Sequence, residues 1–130
     1  MTIKSSQTLV EEALNSIKTL QPEEAKSIHE KNECNLIDLR DIRELQRDGT
    51  IENSVHIPRG MLEFWIDPDS IYFQNNKLNV DKQFILFCAG GLRSALATKT
   101  LQDMGFKNVS HIDGGFSRMT EGGFKIVEKK

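Results

Sequence analysis

Phe84, Ile85, Leu86 and Phe87 stand in a row with no polar residue alternating among them. A run of that kind reads as a strand covered on both faces, the usual condition of a parallel sheet. Cys88, Ala89, Gly90, Gly91, Leu92, Arg93 and Ser94 follow directly. Leu92, Ala95, Leu96 and Leu101 then recur near helical spacing, with Ser94 the expected cap. A strand that turns into a helix through so short a loop points successive backbone N–H groups into one small bowl. At the positive end of a helix, such a bowl holds an anion. Cys88 stands where that anion belongs, so a thiolate or a sulfur species derived from it is the expected occupant. Amide dipoles favour the charged form, and a low thiol pKa is expected there.

A chain of 130 residues makes one domain with a sufficient core, without disulfide staples. Its apolar content of 38% and charged content of 28% are those of an ordinary soluble protein. A net charge of -2 and a pI near 5.9 give no reason to expect nucleic acid or an acidic membrane as partner. No apolar run approaches the roughly 18 residues of a membrane span. Met1 to Gln7 lacks the apolar core of a signal peptide, so a cytoplasmic location is expected. Cys34 and Cys88 lie far apart and form no Cys-x-x-Cys. Neither a disulfide nor a zinc site is expected, and Cys34 reads as a near-core thiol.

Leu9, Val10, Ala13, Leu14 and Ile17 recur at helical spacing, which predicts a short amphipathic helix over about 7–15 in an N-terminal extension, 1–15. The domain proper is expected over 16–130. Ile17 to Leu20 alternates as an edge strand, and Pro22 opens a helix to about Lys31, with His29 solvent-facing or half-buried. Asn35 to Leu39 is a strand, nearly all apolar apart from Asp38. A helix then starts at Asp41 and ends at Asp48-Gly49. Val55 to Ile57 is a short strand stopped by Pro58, with His56 as a partly exposed polar position. Arg59 follows at the end of that strand, where ligands gather in open α/β sheets, so Arg59 and Arg93 are expected to make a positive rim. Gly60 to Asp67 reads as an apolar short helix, Asp67 and Asp69 as turn residues, and Ser70 to Asp81 as a polar loop. Val109 to Ile112 is the last strand, with His111 read like His56. Gly114-Gly115 turns into a short helix, and Phe124 to Lys130 reads as a charged tail.

Cys88 to Ser94 resembles the active-site loop of the rhodanese-like sulfurtransferases. Four further segments agree in order. Leu36 to Glu44 resembles the family's first core strand, with its Asp-x-Arg and following Glu. Gly49 to Pro58 resembles its Gly-x-Ile-x-x-Ala-x-x-Ile-Pro segment, with Ser54 for the alanine. Met104 to Val109 resembles the end of the helix after the loop, and Asp113 to Phe116 the Gly-Gly before the last helix. The likeness covers roughly residues 16 to 127. One departure is Met119, where the family usually carries tryptophan; a repacked corner is expected.

The resemblance implies an α/β fold of the rhodanese type: a central, mostly parallel sheet of about five strands with helices on both faces. It also implies a sulfurtransferase in which Cys88 carries a persulfide. Ala89, Gly90, Gly91, Leu92, Arg93 and Ser94 would bind the donor and stabilise the persulfide, while Asp38, Arg40 and Arg59 support the loop. The partners would be a small anionic sulfur donor such as thiosulfate and a thiol or protein acceptor, with no metal and no cofactor. Three other readings compete. A cysteine-dependent phosphatase or arsenate reductase uses a similar cradle, but with a loop one residue longer than this one. A non-catalytic interaction module would not require Cys88 in a glycine-lined loop. A peroxide or thiol sensor would want a resolving cysteine.

Overall fold

The computed structural model describes residues 2–129. Its strands are β1 (Lys18–Leu20), β2 (Cys34–Asp38), β3 (Thr50–Ile51), β4 (Val55–His56), β5 (Gln83–Phe87), β6 (Val109–Ile112) and β7 (Ile126–Val127). Its helices are α1 (Ser6–Ser16), α2 (Pro22–Glu30), α3 (Ile42–Asp48), α4 (Leu62–Ile66), α5 (Leu92–Met104) and α6 (Gly115–Glu121). Five strands pair in parallel in the order β1-β6-β5-β2-β4, with β1 on the edge and β5 in the middle.

The unbroken apolar run in β5 is explained by the two cores it serves. Phe84, Leu86 and Cys88 point into one core with Leu62, Ile66, Ala97 and Leu101 of α4 and α5. Ile85 and Phe87 point into the other, with Ala25, Phe116 and Met119 of α2 and α6. Alternation survives as direction but not as polarity, because both faces are covered. Outside this sandwich, α1 lays Val10 and Ala13 on Ala95 of α5. Among the described residues, no helix is long and apolar enough to cross a membrane.

The terminal residues differ from a plain charged tail. Phe124 is buried, and Ile126 and Val127 pair antiparallel with Ile51 and Thr50. A two-residue strand has too little pattern to be seen in sequence; its partner supplies the order. The 70–81 loop likewise contributes Leu78 to the core, and Asn35 holds it through bonds to the backbone of Asn79.

All the parallel strands end at one edge of the sheet. At the end of β2, Asp38 and Arg40 are 0% and 1% exposed and make a buried ion pair. Arg40 Nη2 lies 2.8 Å from Asp38 Oδ2, and Nε lies 3.0 Å from Oδ1. Further groups surround the pair. The Thr50 hydroxyl donates to Asp38 at 2.8 Å, Arg40 Nη2 donates to the Gly49 carbonyl at 2.8 Å, and the guanidinium lies 3.9 Å from the Phe116 ring centre. Removing one partner strands the other charge, whereas removing both need not. Asp38→Ala should therefore cost about 3–5 kcal/mol in denaturant unfolding, and the Asp38→Leu/Arg40→Met pair should cost clearly less. Equal losses for the two variants would show that the pair is not the tie described.

Candidate active site

Cys88 leaves β5 at that same edge, and its side chain is only 1% exposed. Two main-chain donors converge on the sulfur: the Gly91 N–H at 3.2 Å and the Ser94 N–H at 3.3 Å. The loop closes on itself because Gly91 is left-handed, with φ of +105°, a conformation that side chains resist. Gly91 is consequently the N-cap of α5, and Ser94, expected as the cap, lies inside the first turn with its side chain fully buried. Its hydroxyl lies 3.5 Å from Cys88 Sγ instead of capping the helix. At the apex, a Cβ added to Gly90 would meet nothing within 4 Å, so the loop is open there.

The far side of the loop is clamped by α6. Phe116 N–H donates to the Cys88 carbonyl at 2.8 Å and Ser117 N–H to the Ala89 carbonyl at 3.2 Å. With those carbonyls occupied, two of the loop's amides, those of Gly91 and Ser94, face the sulfur, fewer than the successive amides expected from sequence. Gly115 makes this clamp possible, since a Cβ there would overlap the Cys88 carbonyl oxygen. Arg40, stacked on Phe116, thereby braces the loop from behind.

Arg93 reaches back to α3, with Nη1 and Nη2 lying 2.8 and 3.0 Å from the two oxygens of Glu44. That hydrogen bonding holds the Glu44 carboxyl below its usual range, and Glu44 Oε2 also accepts from the Asp41 N–H. The same contact with Glu44 raises Arg93, and the nearby Cys88 sulfur adds to the effect. Arg59 has other partners: Nη1 lies 2.9 Å from Glu63, and Nη2 lies 3.4 Å from Thr100. Thr100 lies roughly 10 Å along α5 from Arg93 at 1.5 Å per residue. A pocket of about 570 Å³ opens beside Arg93 and Leu92, with Val10 and Gln7 of α1 on its other wall. A larger one, about 680 Å³ by His29, Glu52 and Phe124, contains no loop residue.

His111 departs most from expectation. It is not half-exposed but 2% exposed, on the same face of the sheet as Cys88. Its Nδ1 lies 2.9 Å from the Ser94 hydroxyl and its Nε2 lies 3.1 Å from the Thr19 hydroxyl. An alternating strand exposes one face only when nothing covers it; β6 lies between β1 and β5 beneath α5. His56 keeps the half-buried place expected of it, bonded to the Arg40 carbonyl at 2.7 Å.

The rhodanese-like domain profile matches residues 21–121. The chain belongs to the rhodanese-like domain family. Thiosulfate sulfurtransferase GlpE from Pseudomonas savastanoi is 31% identical, over 79% of this chain and 87% of that one. A solved protein of unknown function from Rhodopseudomonas palustris, described as a possible tyrosine phosphatase, is 46% identical over 98% of both chains, with a TM-score of 0.88. The polysulfide-sulfur transferase homodimer of Wolinella succinogenes is 30% identical over 95% of this chain and 88% of that one, with a TM-score of 0.74. The chain also matches a tRNA uridine(34) hydroxylase from Photorhabdus laumondii, spanning 26% of its length.

Within this rhodanese-like domain, Met119 fills the corner where the family usually has tryptophan; it is 0% exposed, in the core with Leu20, Ile112 and Phe124. The other thiol, Cys34, is buried at the start of β2, and burial pushes its pKa up to about 11. Sequence reading missed Glu44 and Phe116 as loop supports, and His111 altogether. The available signal for His111 was its place in a strand that had to be covered on both sides.

Burial lowers the His111 pKa below its usual value, against a smaller opposing pull from Asp113. The folded ring therefore binds a proton less readily than the unfolded one. Its contribution to stability is complete above about pH 6.5 and is lost as pH falls towards the lowered folded pKa. Thermal unfolding of the wild type against His111→Gln should show an advantage that shrinks through that window. An advantage unchanged between neutral pH and about pH 5 would contradict the burial account.

Proposed function

We propose that this protein is a sulfurtransferase that moves a sulfane sulfur from thiosulfate, or a similar anionic donor, to a thiophilic acceptor through a Cys88 persulfide. The observation that carries the reading is the pair of main-chain N–H groups aimed at Cys88 Sγ, at 3.2 and 3.3 Å, at the start of a 13-residue helix. Donors fixed in place before charge arrives stabilise it without reorganising, and the helix dipole adds to their field.

The Cys88 thiolate attacks the outer sulfur of thiosulfate, the sulfur–sulfur bond breaks, and its electron pair leaves with sulfite. Cys88–S–S⁻ remains. The acceptor, a thiol or a protein group, then attacks the outer sulfur, and the electron pair of the disulfur bond returns to Cys88 as thiolate. Ala89, Gly90 and Gly91 keep side chains out of the space above the sulfur, and the open apex at Gly90 is the natural entry. Leu92 forms the exposed wall of that entry. Ser94 lends its hydroxyl to the sulfur. Arg93, tied to Glu44 yet 41% exposed, offers positive charge to the donor. Asp38 and Arg40 brace the loop through Phe116. Arg59, bonded to Glu63, shapes the more distant field. The sulfurtransferases named among the relatives support this reading.

Phosphatase chemistry is the second reading, suggested by the description of the Rhodopseudomonas protein. The small bowl argues for a single sulfur atom over a tetrahedral phosphate, since only four residues separate Cys88 from Arg93. Intact mass after thiosulfate treatment decides between them. The wild type should gain one sulfur atom and Cys88→Ala none. No gain with any sulfane donor, or phosphoryl-ester hydrolysis lost in Cys88→Ser, would overturn the proposal. Arg93→Ala should raise the thiosulfate concentration for half-maximal rate about tenfold, consistent with the loss of one charge-assisted contact of roughly 1.5 kcal/mol. An unchanged half-saturation would remove Arg93 from donor binding.

A further inference from the structure

Cys88 is 1% exposed and the opening over Gly90 is where the donor would enter, so a separate path for the thiol proton is of interest. One unbroken chain of polar atoms leads away from the sulfur. Cys88 Sγ lies 3.5 Å from Ser94 Oγ, which lies 2.9 Å from His111 Nδ1, and His111 Nε2 lies 3.1 Å from Thr19 Oγ1. Ser94 and His111 are 0% and 2% exposed, whereas Thr19 is exposed on the edge strand β1, in register with His111. Each interior member has one neighbour on either side and can reverse its bonds, because a hydroxyl and a neutral imidazole both donate once and accept at least once.

We propose that Ser94, His111 and Thr19 form a proton relay from the Cys88 thiol to solvent at the sheet edge, with His111 the positioning residue that turns the Ser94 hydroxyl toward the sulfur. The inference rests on the assignment of Cys88 as the sulfur carrier. With the thiol intact, S–H donates to Ser94 Oγ, Ser94 donates to His111 Nδ1, and Nε2–H donates to Thr19. On ionisation, the thiol proton passes to Ser94 Oγ and the serine proton to Nδ1. The Nε2 proton passes to Thr19 Oγ1, and the former threonine proton goes to water. Sulfur keeps the electron pair. The chain then runs reversed: Thr19 donates to Nε2, Nδ1–H donates to Ser94, and the Ser94 hydroxyl donates to S⁻. His111 begins and ends neutral, as burial requires; Asp113 is the charged group acting on it. The relay thus supplies a third donor to the sulfur only when the sulfur is charged.

The test uses the full chain and reads two things at neutral pH: alkylation of Cys88 by iodoacetamide, mapped by peptide mass, and sulfur loading from thiosulfate. Cys34, buried and held as a thiol, reports in the same digest whether a variant has opened. His111→Gln and the surface variant Thr19→Val should each slow Cys88 alkylation about tenfold, a conservative share of what proton transfer contributes. Maximal loading should fall alike, with the half-saturating thiosulfate unchanged. Both effects should vanish in a Ser94→Ala background, since the relay acts only through that hydroxyl. Wild-type alkylation in both variants, or losses that persist without Ser94, would overturn the relay. If Cys34 becomes reactive in His111→Gln, Thr19→Val decides alone. If the alkylation pattern holds but the wild type takes no sulfur, the relay stands and the sulfurtransferase reading falls.

Discussion

A salt bridge with almost no contact with water organises the working edge of this protein. Asp38 and Arg40 sit two residues apart at the end of β2, where the backbone leaves the sheet and has amides and carbonyls to satisfy. Burying two charges is costly on its own. Here the cost is offset by further partners: the Arg40 amide, the Thr50 hydroxyl, the Gly49 carbonyl and the Phe116 face all take part. The result is a rigid post that joins the end of β2, the end of α3 and the first turn of α6.

The sulfur site is built against that post, largely from main chain. Main-chain donors have no rotamers to lose, so their direction depends only on the path of the loop. That path is set from both ends. Gly91 permits the turn into α5, and α6 occupies the outward carbonyls of Cys88 and Ala89. Glu44 adds a third hold by gripping Arg93 while it caps its own helix. The two amides of such a cradle cannot turn away from the sulfur, which, on the proposed reading, suits a covalent sulfur carrier better than a flexible side-chain pocket would.

Burial of the sulfur and its chemistry are compatible because the two demands fall on different atoms. The inner sulfur is enclosed by amides and Ser94, while the space over Gly90 remains open. Under the proposed function, choice of donor and acceptor would fall to the rim, where Leu92 and Arg93 face α1 across a largely apolar pocket. The residues beneath the sulfur bond to the sulfur itself instead.

The sequence alone determined the doubly covered strand, the Cys88 loop at its end and the helix behind it. These are local matters: a run without polar alternation, glycines where backbone must turn, and an apolar period that follows. It also marked Asp38 as employed, because a lone carboxylate in an apolar strand has to find partners. Only the tertiary structure decided who those partners are, that Ser94 faces the sulfur instead of capping its helix, that Arg59 and Arg93 bind different carboxylates, and that Ile126 and Val127 form a strand. His111 shows the reason most plainly. Its place two residues after Val109 gives a face, but whether that face meets water or Ser94 depends on α5 and β1. Contacts across strands and helices carry no local period, so no stretch of residues can announce them.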